Sequence, residues 1–196
     1  MTAAAQVRPT RPSPAIPNIV LGCALFLISE AMLFCGLASA YVVLRSQAGL
    51  WPPLDQPRLP VFATAINTAI LIASGGALWR SVSESARGNH NIARSLRGAA
   101  LALGTVFVVF QGIEWGRLIQ HGLTSSSSLY GALFYSLVGC HGLHVIVALV
   151  VFARIHQLTL RDPGSTQSMD RLRAGRMYWT FVVLVWPPLY GLVYLW

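Results

Sequence analysis

The sequence predicts an all-α, polytopic membrane protein built as a bundle of five transmembrane helices. Two features of composition support this fold class: 55% of the 196 residues are hydrophobic and only 10% are charged, whereas soluble domains carry roughly 25% charged residues. The third observation is five long apolar segments of about 20 residues, the length that crosses a hydrocarbon layer ~30 Å thick. No segment alternates apolar and polar residues as the strands of a membrane barrel do.

The five apolar segments run approximately over residues 19–44, 59–79, 99–119, 130–152 and 177–196. Backbone N–H and C=O groups find no water in lipid, so each segment is expected to be an α-helix. Residues 18–196 are therefore interpreted as one membrane domain. Residues 1–17 contain four prolines and two arginines and predict a flexible cytoplasmic tail, because proline removes helix donors and the segment has little apolar surface to bury.

The distribution of arginine predicts the orientation of the bundle. All fourteen basic residues are arginines; Arg45, Arg58 and Arg117 border one side of the predicted helices, and all the others border the opposite side. Because loops rich in positive charge remain in the cytoplasm, the N-terminus is predicted to be cytoplasmic and the C-terminus periplasmic.

Charge and cysteine content exclude several classes of function. The net charge of +8 does not indicate nucleic acid binding, which needs a soluble face rich in basic and aromatic residues. Arginines placed between apolar segments instead favour contact with anionic lipid headgroups. The three cysteines form neither a CxxC nor a CxxCH motif, so neither a zinc site nor covalent haem is indicated. No phosphate-binding glycine motif or nucleophile triad is present, and independent catalysis is not expected.

Glu30 lies near the middle of the first segment, among apolar neighbours. An ionised side chain at that depth costs at least about 2.5–3.5 kcal/mol on insertion scales. The cost falls if the carboxyl binds a proton or faces a polar group on another helix. Two interpretations stay open: a carboxyl that hydrogen-bonds across a helix interface, and a residue that handles protons, because intramembrane acids are functional candidates by default.

Glu114 is the second carboxyl within a predicted helix. Gln111 precedes it and Arg117 follows it at three-residue spacing, so the three share a face that continues to His121. This stripe is interpreted either as a polar network at the helix end, with a Glu114–Arg117 pair, or as a site of proton entry or headgroup binding.

His141 and His144 share a face of the fourth segment. Two histidines at this spacing can ligate a metal, but no other segment offers a His or Cys pair in the middle of the membrane. Hydrogen bonding between helices is therefore favoured, beside Gly139 and Gly142, where backbones approach closely. Asn67, on a small and polar face of the second segment, is interpreted in the same way.

Several runs resemble the signatures of haem–copper oxidase subunit III. Residues 28–34 (ISEAMLF) resemble its Ser-Glu-x-Met-Phe-Phe run, and residues 51–53 (WPP) resemble its Trp-Pro-Pro loop. Residues 111–115 (QGIEW) resemble its Gln-x-x-Glu-Tyr stretch, and residues 139–145 (GCHGLHV) resemble its Gly-x-His-Gly-x-His-Val block. The resemblance covers residues 18–196 and implies the short, five-helix bacterial form.

The resemblance implies a subunit that binds no cofactor of its own, in a complex whose haem and copper lie in other subunits. It implies packing on subunit I beside subunit II, bound phospholipids and support for proton uptake, in a bacterial plasma (inner) membrane. The complex would reduce oxygen to water with electrons from cytochrome c or quinol. Glu30 matches the family's carbodiimide-reactive carboxylate, Glu114 is the second proton-uptake candidate, and Arg173 and Arg176 are candidate ligands of lipid headgroups.

The last helix departs from the family pattern. The family reads Tyr-Trp-His-Phe-x-Asp, whereas residues 178–183 read YWTFVV, so Thr180 and Val183 replace the His and the Asp. This departure keeps one alternative open, the accessory subunit of a nitric oxide reductase. An alternative of another class is a small independent proton channel or transporter, which would need polar residues lining one pathway across several helices.

Overall fold

The computed structural model describes residues 16–53 and 56–196 and contains five long helices. Helix α1 spans Asn18–Gln47, α2 spans Val61–Ala86 and α3 spans His90–Gln120. Helix α4 spans Leu129–Arg161 with a π-helical segment at Tyr135–Gly139, and α5 spans Thr166–Leu195 and ends in the π-helical segment Gly191–Leu195. Each is long and apolar enough to cross a membrane, which confirms the predicted fold class. Most of the predicted flexible tail lies outside the described residues.

Two helices begin well before the apolar segments that predicted them. Helix α3 begins at His90 rather than near Ala99, and α5 begins at Thr166 rather than near Met177. Their first turns are polar and rich in arginine, so hydropathy alone does not detect them. The start of α5 is capped by Ser165, whose Oγ accepts a hydrogen bond from the Ser168 N–H at 3.2 Å.

Helix α5 lies at the centre of the bundle and contacts α1, α2 and α4. Its Trp179 and Trp186 are each 1% exposed and belong to the apolar core. Helices α2 and α3 form an antiparallel hairpin joined by a turn of three residues, 87–89. The α2–α3 turn and the α4–α5 turn lie at the same end of the bundle, which the arginine distribution predicts to be cytoplasmic.

A close approach at Gly104 brings α3 against α5. A Cβ atom at Gly104 would lie only 2.7 Å from the Trp179 ring and 2.9 Å from Leu149. Only glycine leaves room for the indole at this position. Gly75 on α2 plays a similar part, because a Cβ there would lie 3.3 Å from Val183.

Candidate functional site

The candidate site is a carboxyl–imidazole pair that joins α1 to α4. The Oε2 atom of Glu30 lies 2.7 Å from Nε2 of His144. Both side chains are mostly buried, with exposed fractions of 15% for Glu30 and 14% for His144. The sequence singled out both residues but gave no reason to pair them, because they are 114 positions apart.

The hydrogen bonds of His144 determine how many protons the pair holds. Its Nδ1 lies 2.7 Å from the carbonyl oxygen of Cys140. A carbonyl oxygen only accepts, so Nδ1 must carry a hydrogen and Nε2 faces Glu30. One proton then lies between Oε2 and Nε2, held either by a neutral carboxyl or by an imidazolium. Both forms have zero net charge, so the pair avoids the cost of a lone charge in the membrane.

Phe34 packs beside this pair with its aromatic ring. Its ring centroid lies 5.1 Å from that of His144 and 6.2 Å from that of His141, both in edge-to-face arrangements. Phe34 is 5% exposed and is one of only two buried residues of α1, with Tyr41. The pair therefore lies in an apolar environment, where the hydrogen bond is stronger than it would be in water.

Glu114 belongs to a second polar cluster, between α2, α3 and α5. The hydroxyl of Thr64 donates to its Oε2 at 3.0 Å, and Nε2 of Gln111 lies 3.5 Å from the same oxygen. Nε2 of Gln111 also lies 3.3 Å from the hydroxyl of Tyr194. Glu114 is 8% exposed and lines a crevice of about 140 Å³ together with Asn67.

The pair predicted between Glu114 and Arg117 is not formed. Arg117 is exposed, and Glu114 instead turns inward to the hydroxyl of Thr64. Thr64 precedes Asn67 by three residues and so shares the polar face predicted for the second segment, but the sequence does not assign it to Glu114. Tyr194 carried no signal beyond its position near a helix end.

The other two predicted interhelical residues behave differently. Nδ2 of Asn67 donates to the backbone oxygen of Phe107 at 3.1 Å and so joins α2 to α3. His141 is 1% exposed and stacks on Trp186 with 5.0 Å between ring centroids. Neither ring nitrogen of His141 has a hydrogen-bond partner among the described residues, so the interhelical hydrogen bond expected for it is absent there.

The two departures in the last helix have local structural roles. The hydroxyl of Thr180 accepts a hydrogen bond from Nε1 of Trp79 at 2.8 Å, which joins α5 to α2. Val183 is 7% exposed and packs on Gly75. Neither Thr180 nor Val183 has a titratable side chain, so neither can exchange a proton with the Glu30–His144 pair.

The two arginines predicted to bind headgroups already have partners. Arg173 is exposed and lies 3.3 Å from a carboxylate oxygen of Asp170. The guanidinium of Arg176 lies 4.4 Å above the ring of Trp79. Within residues 16–53 and 56–196, no three His, Cys, Asp or Glu side chains come together as a potential metal site.

Similar proteins are found among oxidase subunits. The family model described as cytochrome c oxidase subunit III matches residues 11–196. A protein of Mycobacterium leprae named probable cytochrome c oxidase subunit 3 is 36% identical over 180 residues, which cover 91% of this chain and 88% of that protein. A Synechocystis protein named cytochrome c oxidase subunit 3 is 35% identical over 179 residues, which cover 90% of this chain and 75% of that protein.

Proposed function

Since the chain belongs to the cytochrome c oxidase subunit III family, we propose that it is the non-catalytic subunit III of a proton-pumping haem–copper terminal oxidase. It packs on subunit I, beside subunit II, in the plasma membrane of a bacterium. The haem and copper centres lie in these partner subunits, and cytochrome c or quinol supplies the electrons. The chain contributes proton handling and lipid binding rather than redox chemistry.

The observation that carries the proposal is the 2.7 Å contact between Glu30 and His144. A proton shared between two groups moves without creating net charge, which suits a relay in a low-dielectric environment. In this proposal the pair releases its shared proton toward the redox subunits and takes up another in its place, so that each cycle restores the neutral pair. Glu114 is the second proton-uptake candidate, with the crevice beside Asn67 as its access from outside the bundle.

Lipid binding is proposed for an apolar crevice between α1 and α5. The crevice has a volume of about 300 Å³ and is lined by Ala31, Cys35, Leu184 and Pro188 among others. Arg176 lies eight residues before Leu184, about 12 Å along α5 at 1.5 Å per residue. An acyl chain in the crevice would therefore place its phosphate near the level of Arg176. The exposed Arg173, one turn earlier, extends the basic rim.

The lipid proposal is tested by changing Arg173 and Arg176 together to Gln. The purified variant should carry less anionic phospholipid than the wild type, because two headgroup partners are removed. Lipid extraction and quantification measure the change. Arg161→Gln is the control. Arg161 is also exposed, but it lies at the end of α4, and the crevice is lined by residues of α1 and α5. Equal lipid content in the double variant and the wild type would contradict the proposal.

The oxidase assignment is tested by purification in mild detergent through a tag on this chain. The preparation should contain partner subunits, show the absorbance of haem, and consume oxygen when given reduced cytochrome c or quinol. A chain that elutes alone, colourless and active in ion movement would instead identify an independent transporter.

The accessory subunit of a nitric oxide reductase is the alternative within the same family. It follows from Thr180 and Val183, which replace the His and the Asp of the family pattern. In an accessory subunit of a nitric oxide reductase, the same preparation would consume nitric oxide rather than oxygen. The names of the similar proteins favour the oxidase.

A further inference from the structure

A polar pocket lies at the arginine-rich end of the bundle, far from Glu30. It has a volume of about 380 Å³ and lies between the α2–α3 turn and the α4–α5 turn. Ser85 and His90 line one wall, and Gly164 and Arg173 line the other. This volume falls in the range of sites that bind small molecules.

A buried arginine contacts Ser85 of the pocket wall. Arg97 on α3 is 3% exposed, and its Nη1 donates to the hydroxyl oxygen of Ser85 at 3.0 Å. Its Nε lies 3.4 Å from Nδ1 of His156, which must accept and is therefore unprotonated at that nitrogen. Both partners are uncharged in this arrangement, while the guanidinium is always charged.

Within residues 16–53 and 56–196, no carboxylate neutralises Arg97. Among the described residues, the salt bridges within 4.0 Å are Glu84–Arg87, Glu30–His144 and Asp170–Arg173. Glu114 lies toward the opposite end of α3, and Asp162 is exposed. Asp55 falls in the connection between the first two apolar segments, which the arginine distribution predicts to be on the opposite side of the membrane. The undescribed residues 1–15 contain no Asp or Glu. A buried charge is normally paired, so the counter-ion of Arg97 has to come from outside the chain.

Ser85 connects this charge to the pocket. It is 7% exposed, lines the pocket, and uses its oxygen to accept from Arg97. Its own O–H has no acceptor among the described residues. A hydroxyl that accepts from a guanidinium is polarised and becomes a better donor. Ser85 therefore offers an anion in the pocket a hydrogen bond reinforced by the charge of Arg97.

The mouth of the pocket adds further donors. Arg173 has other N–H groups besides the one that contacts Asp170, and the His90 ring faces Gly164. Glu84 is held away by Asn89 and Arg87. Glu84 is already paired with Arg87, and Asp170 is already paired with Arg173. The charge of Arg97 is therefore an unbalanced positive charge at this end of the bundle.

We propose that this pocket binds a phosphate group, held by the Ser85 hydroxyl and Arg173 and neutralising Arg97. Donors on the last turn of α2 and near the start of α5 converge on the pocket, which suits a tetrahedral anion with several acceptor oxygens. The pocket is larger than phosphate alone, so the ligand is a phosphate ester, either the headgroup of an anionic lipid or a soluble compound of the aqueous phase. The proposal is independent of oxidase activity.

The test measures thermal unfolding of the full chain in detergent at constant ionic strength. Inorganic phosphate, glycerol phosphate, short-chain phosphatidylglycerol and short-chain phosphatidylcholine are titrated separately. A phosphate ester should raise the unfolding midpoint of the wild type. Saturation at lower concentration by glycerol phosphate would identify a soluble ligand, and saturation by phosphatidylglycerol a lipid headgroup.

Three variants locate the effect. Ser85→Ala should weaken the apparent affinity at least about tenfold, the cost of a hydrogen bond to a charged group, and Arg97→Gln should abolish the response. Arg94→Gln removes the same charge from an exposed position one turn away on α3 and should keep the response. If Arg97→Gln fails to fold, the response of Ser85→Ala alone decides the test.

Either of two kinds of result would overturn the proposal, a failure of phosphate binding or a counter-ion from another source. One is a wild type that no phosphate compound stabilises, or a Ser85→Ala variant that responds like the wild type. The other is an assembled complex that gains Arg97-dependent stability without any phosphate compound, because the counter-ion would then be a carboxylate of a partner subunit.

Discussion

Helix α1 and the α2–α3 hairpin are both strongly apolar in sequence but are held in opposite ways. Only Phe34 and Tyr41 of the 30 residues of α1 are buried within the chain. The hairpin is joined by side chains that reach across it: Ser74 donates to the Ala100 oxygen and Ser81 to the Ala93 oxygen, each at 2.8 Å. The two helices of the hairpin are thus held directly to each other, whereas most of the surface of α1 is not covered by the rest of the chain.

The few contacts of α1 are concentrated on its polar and aromatic residues. Glu30 pairs with His144, Phe26 lies edge-to-face on Tyr178, and Arg45 lies over the Trp196 ring. A helix with so little buried area depends strongly on each of these contacts. The candidate proton pair therefore lies on the helix that the rest of the chain covers least.

The largest expected difference between the two regions comes from adding a methyl group. Gly104→Ala should lower the free energy of unfolding by about 1–3 kcal/mol, because the new Cβ would clash with the Trp179 ring. Gly36→Ala on α1 meets no atom within 4 Å and should change stability by less than about 0.5 kcal/mol. Denaturant titration in detergent measures both. Equal losses would mean that α1 is as tightly packed as the hairpin.

Removing serine hydroxyl groups should give a smaller difference in the free energy of unfolding between the hairpin and α1. The double variant Ser74→Ala, Ser81→Ala loses two hydrogen bonds between helices and should lose about 1 kcal/mol, at roughly 0.6 kcal/mol per bond in membranes. Ser29 and Ser46 on α1 bond to carbonyls of their own helix. The matching double variant of these two residues should therefore unfold like the wild type in the same titration, and a comparable loss there would contradict the distinction.

The sequence was sufficient to predict the five helices but not their pairing. Runs of about 20 apolar residues define spans because the membrane demands internal hydrogen bonding. Which faces meet depends on close packing that hydropathy does not encode. Glu30 and His144 were identified as unusual for their depth, yet their contact requires α1 and α4 to be neighbours. The inward turn of Glu114 to Thr64, away from Arg117, likewise depends on tertiary packing.

The sequence also did not predict that Arg97 is buried. Hydropathy placed Arg97 in a loop before the third span, where an arginine needs no partner. The structure extends α3 back to His90, and this extension carries Arg97 into the bundle. Its burial follows from the length of the helix rather than from any local motif.

The smallest stability effect is expected at Thr180. Thr180→Val removes the acceptor of the Trp79 N–H and should cost about 0.6 kcal/mol, since Trp79 is half exposed. Thr180→Ser keeps the hydroxyl and serves as the control. The indole emission spectrum and denaturant titration measure the change, and identical results for Val and Ser would mean that the bond contributes nothing.

We expect the Glu30–His144 pair of α1 to share a proton in support of a redox complex whose centres lie in other subunits. The most direct measurement is proton uptake by the purified complex carrying Glu30→Gln, with Ser29→Ala on the same turn as control. Gln cannot share a proton with His144, so the variant complex should assemble normally with full haem content but show slower proton uptake and faster inactivation during turnover. Wild-type rates in both assays, with assembly unchanged, would contradict it and leave Glu30 as a packing residue.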